Sequence, residues 1–170
     1  MILLLALVAV LQTCGCATPA RGGDLETLQE GDPRTSDRDA AANGWIRAVL
    51  AGDRDGILRF TAPDYRSSVK TELENEGSDL SKLLLTGPQS IRARFDRRPL
   101  RVSLLAHKDL QDHGKGTSAC YYSGTEPAWP RRSEDLAKLV SGGGVVCFFM
   151  YESEGSWYVS LPHPDEGGDV

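Results

Sequence analysis

Hydrophobic side chains recur at helical spacing in the first part of this chain and alternate with polar ones in the last part, and the switch falls near Leu100. Ala41, Trp45, Ile46, Val49 and Leu50 share one stripe of a helix that Ser36 or Asp37 caps and Gly52 ends. Asp53 caps a shorter helix carrying Ile57, Leu58 and Phe60, and Pro63-Asp64 breaks the chain after it. Residues 66–85 read as two helical pieces split near Gly77-Ser78, the second apolar at Leu80, Leu83, Leu84 and Leu85. Gly87-Pro88 starts another short helix, its proline in the first turn, where the missing N–H costs nothing.

From Leu100 the period of two predicts two hairpins. Leu100–Asp109 and Gly116–Ser123 are closed by Asp112-His113-Gly114-Lys115, and Gly144–Glu152 and Ser156–Leu161 by Glu154-Gly155. A loop with prolines and Trp129, then a small helix capped by Ser133 and ended at Gly142, joins them. With His113-Gly114 as the turn residues, His107 opposes Cys120 and Ala106 opposes Tyr121. With Glu154-Gly155, Glu152 opposes Trp157 and Met150 opposes Val159. If Cys120 and Cys147 lie on adjacent strands and face the same way, Leu105, His107, Cys120, Tyr122, Cys147, Phe149, Tyr151 and Tyr158 share one face. Val102, Leu104, Ala106, Tyr121, Val146, Phe148, Met150, Trp157 and Val159 share the other. The second set is the more apolar, so the N-terminal helices are expected to cover it. The fold class is therefore α+β: an antiparallel sheet of at least four strands, covered on one face by helices.

The first residues follow neither period. Ile2 to Leu11 carry no polar side chain, which suits the apolar core of a secretion signal, about 7–15 residues, and is too short for a membrane span of about 20. Gln12-Thr13-Cys14-Gly15-Cys16-Ala17 follows and resembles a bacterial lipobox, where cleavage exposes a cysteine that takes lipid. Gly15 suits cleavage before Cys16, and Leu11 suits Cys14. The chain has four cysteines, Cys14, Cys16, Cys120 and Cys147, so lipidation at Cys16 leaves an even pair in the mature domain. Lipidation at Cys14 leaves Cys16 as an odd thiol. Cys16 is preferred, with Cys14 as the alternative, and cleavage after Ala17 would give a soluble secreted protein. The reading is thus residues 1–16 as signal, 17–35 as a flexible linker, 36–162 as one domain and 163–170 as a disordered tail.

Composition adds only exclusions. The chain has 170 residues, 40% hydrophobic and 25% charged, which allows one ordinary globular domain. Its net charge of −5 gives no general attraction to nucleic acid. No two of His107, His113 and His163 have zinc-ligand spacing, so no metal or other cofactor is expected. Gly142-Gly143-Gly144 precedes a strand, the reverse of a phosphate-binding loop, and no Gly-x-Ser-x-Gly is present. Arg92, Arg94, Arg97, Arg98 and Arg101 could dock anionic headgroups or an acidic partner, but read first as a solvated helix face. A Cys120–Cys147 disulfide would contribute roughly 3–4 kcal/mol by loop closure.

Residues 41–53 (Ala-Ala-Asn-Gly-Trp-Ile-Arg-Ala-Val-Leu-Ala-Gly-Asp), 57–65 (Ile-Leu-Arg-Phe-Thr-Ala-Pro-Asp-Tyr) and the closing 155–161 (Gly-Ser-Trp-Tyr-Val-Ser-Leu) resemble the nuclear-transport-factor-2-like superfamily, which includes SnoaL-like proteins. That resemblance implies a curved sheet wrapped by helices into a cone with an internal cavity, used for binding, for catalysis or simply as core. Trp45, Phe60, Tyr65, Phe95, Tyr121, Met150 and Trp157 are the candidate cavity lining, with Glu152 near its mouth. No acid–base set of the enzyme members can be matched, and no catalytic residue is assigned. The expected function is non-enzymatic. It is that of a lipid-anchored domain facing the periplasm or cell surface and binding a small apolar ligand or an envelope protein. The alternatives are a SnoaL-like isomerase or hydrolase and a structural accessory of the envelope.

Overall fold

The computed structural model describes residues 24–29, 32, 36–107 and 116–160. The readings of Cys14, Cys16, Lys108, His113, Leu161 and His163, of the signal and of the tail lie outside the described residues.

The chain is α+β, with a five-stranded antiparallel sheet that is not closed. The strands, in spatial as well as chain order, are β1 (Leu25–Leu28), β2 (Arg101–His107), β3 (Thr117–Tyr122), β4 (Val145–Ser153) and β5 (Ser156–Ser160). Between β1 and β2 come α1 (Ser36–Ala51), α2 (Arg54–Phe60), a tight turn at Pro63–Tyr65, and α3 (Arg66–Glu74). The short α4 (Asp79–Ser81), a π-helical turn at Lys82–Thr86, and α5 (Ile91–Phe95) follow. Helix α6 (Ser133–Ser141) joins β3 to β4.

Local chemistry explains the boundaries. Asp53 accepts a hydrogen bond from Gly56 N and caps α2, and Ser90 does the same for α5 through Ala93 N. The cap at Ser90 moves the start of α5 beyond Pro88, where the sequence placed it. Gly44 is required by packing, because a Cβ there would lie 2.2 Å from the Phe60 ring, so α1 and α2 approach closely at that point. Glu154 and Gly155 both have positive φ (52° and 74°), the conformation of a two-residue hairpin turn whose twist matches the strands. That turn gives the expected pairs, Glu152 with Trp157 and Met150 with Val159.

Three expectations need correction. First, Leu25–Leu28 lie within the stretch read as a flexible linker, yet they pair with Leu104–His107. They occupy backbone groups that would otherwise form a bare sheet edge, and Leu28 is buried in the helix-side core. Second, Cys120 opposes Ser103 and not His107, a shift of four residues in the first hairpin. The observed register sets Leu104 against Ala119 and Leu105 against Ser118, large against small on both faces. Because the shift is even, every side chain keeps its expected face. Third, the face opposite the N-terminal helices is not bare. Leu105, Cys120, Tyr122 and Val145 form a second buried cluster with Leu136 of α6, against which Trp129, Leu139 and Val140 pack.

The larger core unites α1, α2, α3 and α5 with the alternate sheet positions Leu104, Ala119, Tyr121, Val146, Phe148, Met150 and Val159. Trp45 and Phe148 meet with ring centroids 4.4 Å apart, and Tyr121 stacks on Phe148 at 5.8 Å.

Candidate functional site

The residues read as a cavity lining separate into three groups. Trp45, Phe95, Tyr121 and Met150 are buried in the larger core, with Trp45 only 1% exposed. Phe60, Tyr65 and Trp157 are half-buried and pack against it. Glu152 is exposed at the end of β4, and no interaction joins it to Tyr121.

Polar groups inside this helix–sheet layer were not foreseen. Arg38 is only 4% exposed. Its Nη1 donates to Thr117 Oγ1 at 2.9 Å, and its guanidinium lies 4.7 Å from the centre of the Trp157 ring. Tyr121 donates its hydroxyl hydrogen to Asn43 Oδ1 at 2.8 Å. Burial, with the nearby Asp39 carboxylate adding to it, pushes the Tyr121 phenol far above its ordinary range. Tyr121 is therefore held as a neutral phenol that donates to Asn43. A signal for Arg38 existed in the sequence: Arg38, Ala42, Trp45 and Val49 share one helical stripe, which places the arginine on the buried side of α1.

The outer face carries the second set of groups. The Cys120–Cys147 disulfide joins directly opposed residues of β3 and β4, with Cα atoms 4.1 Å apart. Beside it, Glu126 Oε1 accepts from Ser103 Oγ at 2.9 Å and from Trp129 Nε1 at 2.7 Å, and the Trp129 ring meets Tyr122 edge-on. These bonds hold the carboxyl of Glu126 below its usual range, the Trp129 bond first. The cover formed by Trp129 and α6 lies over the Tyr122–Val145 end of the sheet. The other end leaves His107, Phe149, Tyr151 and Tyr158 half-exposed.

His107 is the best placed titratable group on that open half. Its Nε2 lies 2.7 Å from Ser118 Oγ, its ring meets Phe149 edge-on at 5.5 Å, and burial lowers its pKa, which favours a neutral imidazole. A serine–histidine pair suggests nucleophilic chemistry, but Ser118 is only 6% exposed. Among the described residues no carboxylate orients the second imidazole nitrogen, so the pair lacks the base–orienter contact of a catalytic constellation. Sequence reasoning did not single out Ser118, which in the observed register faces Leu105 and lies diagonal to His107.

The remaining candidates disperse. Arg94 donates to the carbonyls of Gly143 and Val145 and so ties α5 to the start of β4, while Arg92, Arg97, Arg98 and Arg101 are exposed. Among the described residues no group of three metal-ligating side chains converges, and no helix is long and apolar enough to cross a membrane. A shallow groove of about 630 Å³ runs along the π-helical turn, where Leu83 is 49% exposed between Glu76, Asp79 and Lys82. No family profile matches this chain, no curated protein matches it, and no solved structure matches it.

Proposed function

We propose that this chain is an exported domain, held to the cell envelope by lipid on Cys16, that works by binding a protein partner and not by catalysis. The observation that carries this reading is the Cys120–Cys147 disulfide. Disulfides persist in oxidising compartments and are rare in the cytosol, so the bond accords with the apolar Ile2–Leu11 segment and the lipobox-like Gly15-Cys16. In this reading the helix-backed sheet is a version of the nuclear-transport-factor-2-like cone whose interior is occupied by its own side chains. The positions expected to line a cavity pack on one another, Trp45 and Tyr121 both against Phe148, and this favours an external binding surface over an internal site.

The test is mass spectrometry of the protein isolated from its own cells without reduction. The expected mature chain begins at Cys16 with a diacylglyceryl group, and Cys120 is joined to Cys147. Free thiols at both positions, or an N-terminus at Met1, would overturn the reading.

One observation favours a second reading, a small ligand within the helix–sheet layer. Trp45 Nε1 is buried and has no hydrogen-bond acceptor, a state that costs about 1–3 kcal/mol unless an oxygen meets it. Native mass spectrometry of the same sample should then show a bound small molecule that Trp45→Phe releases. A bare chain mass would remove this reading.

A further inference from the structure

The half of the outer face that Trp129 and α6 leave uncovered has the chemistry of a binding surface. His107, Phe149, Tyr151 and Tyr158 project from β2, β4 and β5 on one side of the sheet, with Tyr151 directly opposite Tyr158 and their rings 6.5 Å apart. Strands are spaced about 4.8 Å apart, so the strip from β2 to β5 spans about 14 Å, the reach of four or five extended residues. At its margin the Arg66 guanidinium lies 5.7 Å from the centre of the Tyr158 ring. Its Nε donates to Thr61 O at 3.0 Å and its Nη2 to Arg59 O at 3.2 Å, so the group is fixed in place before any ligand arrives.

Charge narrows the occupant. Arg66 and its neighbour Arg59 are exposed, and neither has a carboxylate partner among the described residues. Asp64 lies close enough for its field to be felt at Tyr151 but does not pair with Arg66, so the Arg66 guanidinium is the group at this margin left to meet an anion. The hydroxyls of Tyr151 and Tyr158 make no hydrogen bond among the described residues, so they too are open to a partner. Each outer strand is already met at one point, β5 by Ala62 at Val159 and β1 by Arg131 at Leu25, and the side-chain chemistry described here lies on the face.

We propose that this strip docks an extended acidic segment of the partner protein, with a carboxylate on Arg66 and an apolar side chain over Tyr151 and Tyr158. Tyrosine and arginine are the side chains that concentrate binding energy at protein interfaces, and here both are already ordered. The proposal deepens the protein-binding reading above and rests on it for the compartment in which the partner is met.

The test is selection of a displayed library of random dodecapeptides on the purified full-length chain. Recovered peptides are expected to be enriched in Asp or Glu next to an aromatic or aliphatic residue. Arg66→Glu should reverse the charge preference towards Lys and Arg, and Arg66→Lys should keep the acidic preference with weaker binding. Tyr158→Ala should weaken the selected peptides about tenfold or more. The exposed site of Arg66 makes the charge reversal informative even if Tyr158→Ala impairs folding. Peptides without acidic enrichment, or acidic peptides indifferent to Arg66→Glu, would overturn the proposal. So would selective binding to vesicles of phosphatidylcholine and phosphatidylglycerol that Arg66→Glu abolishes, since the strip would then face lipid. Peptide selection needs neither export nor lipidation, so a chain found unprocessed in cells would sink the proposed function and leave this surface standing.

Discussion

The two faces of the sheet are built from alternate residues of the same strands, yet they are held by different physics. On the helix side, Leu104, Ala119, Tyr121, Phe148, Met150 and Val159 are buried against Trp45, Val49, Ile57 and Phe95, and stability there comes from apolar area removed from water. On the outer side the buried apolar cluster is smaller, and specific links supplement it: the Cys120–Cys147 bond, the two hydrogen bonds to Glu126, and the contact of Tyr122 with Trp129. A face secured by area and covered by helices presents no outer surface to a protein partner. A face secured by a few links can be covered at one end and open at the other, and the open end is where binding chemistry is found.

The sharpest way to break this contrast is to remove area on one side and a link on the other. Trp45→Ala should cost about 3–5 kcal/mol, the range for a large aromatic deleted from a packed core. Replacing both Cys120 and Cys147 by alanine should cost less, about 2–4 kcal/mol, for a bond closing a sequence separation of 27. Urea unfolding of the two variants checks the order. Hydrogen exchange sharpens it, because amide protection in α6 should fall in the cysteine variant while that in α1 is kept. A larger loss from the cysteine pair than from Trp45 would mean that the outer face, and not the helix side, holds the molecule together.

How much of this was legible in the sequence follows the same division. The period of two assigns each strand residue to a face without knowing the register, so both faces came out correctly although the first hairpin was placed four residues away. The Glu154-Gly155 turn was legible because its residue types and its backbone agree, and that fixed β4 against β5. Strand β1 was not, because four residues reading Leu-Glu-Thr-Leu between glycines and prolines carry too little pattern to announce a partner some eighty residues away. The candidate site was less legible still. Tyr151 and Tyr158 could be paired from the turn, but Arg66 reaches them only through hydrogen bonds to Thr61 and Arg59, which depend on how α3 leaves the Pro63 turn. Contacts that join a helix terminus to a distant strand leave no periodic trace.

The links on the outer face can be tested through their protonation. The Glu126 carboxyl titrates below its ordinary value of 4.5 because Trp129 and then Ser103 donate to its charged form. A depressed folded-state pKa gives a contribution present above the unfolded value and lost as pH falls through the folded one. Glu126 is exposed, so its replacement by Gln should cost less than about 1 kcal/mol at neutral pH. The stability difference between wild type and Glu126→Gln should close below pH 4.5, as followed by urea midpoints across the acid range. A difference independent of pH would show that the carboxylate's charge contributes nothing to fastening the cover.

The smallest expected effect belongs to His107, and it separates the faces most cleanly. On the helix side Tyr121 stays protonated throughout the working range of the protein, so that group gives the core no pH dependence there. On the outer face burial lowers the His107 pKa from 6.5, so the unfolded chain binds a proton more readily than the folded one. The neutral imidazole beside Ser118 therefore contributes stability that is complete above pH 6.5 and is lost as pH falls through the lower folded value. Titration of the imidazole carbon resonances should give a midpoint below 6.5. His107→Gln should flatten the stability profile just below that pH and leave it unchanged above. A midpoint at or above 6.5 would place the ring in water or against an anion and remove the partial burial that distinguishes the open half of this face from ordinary solvent-exposed surface.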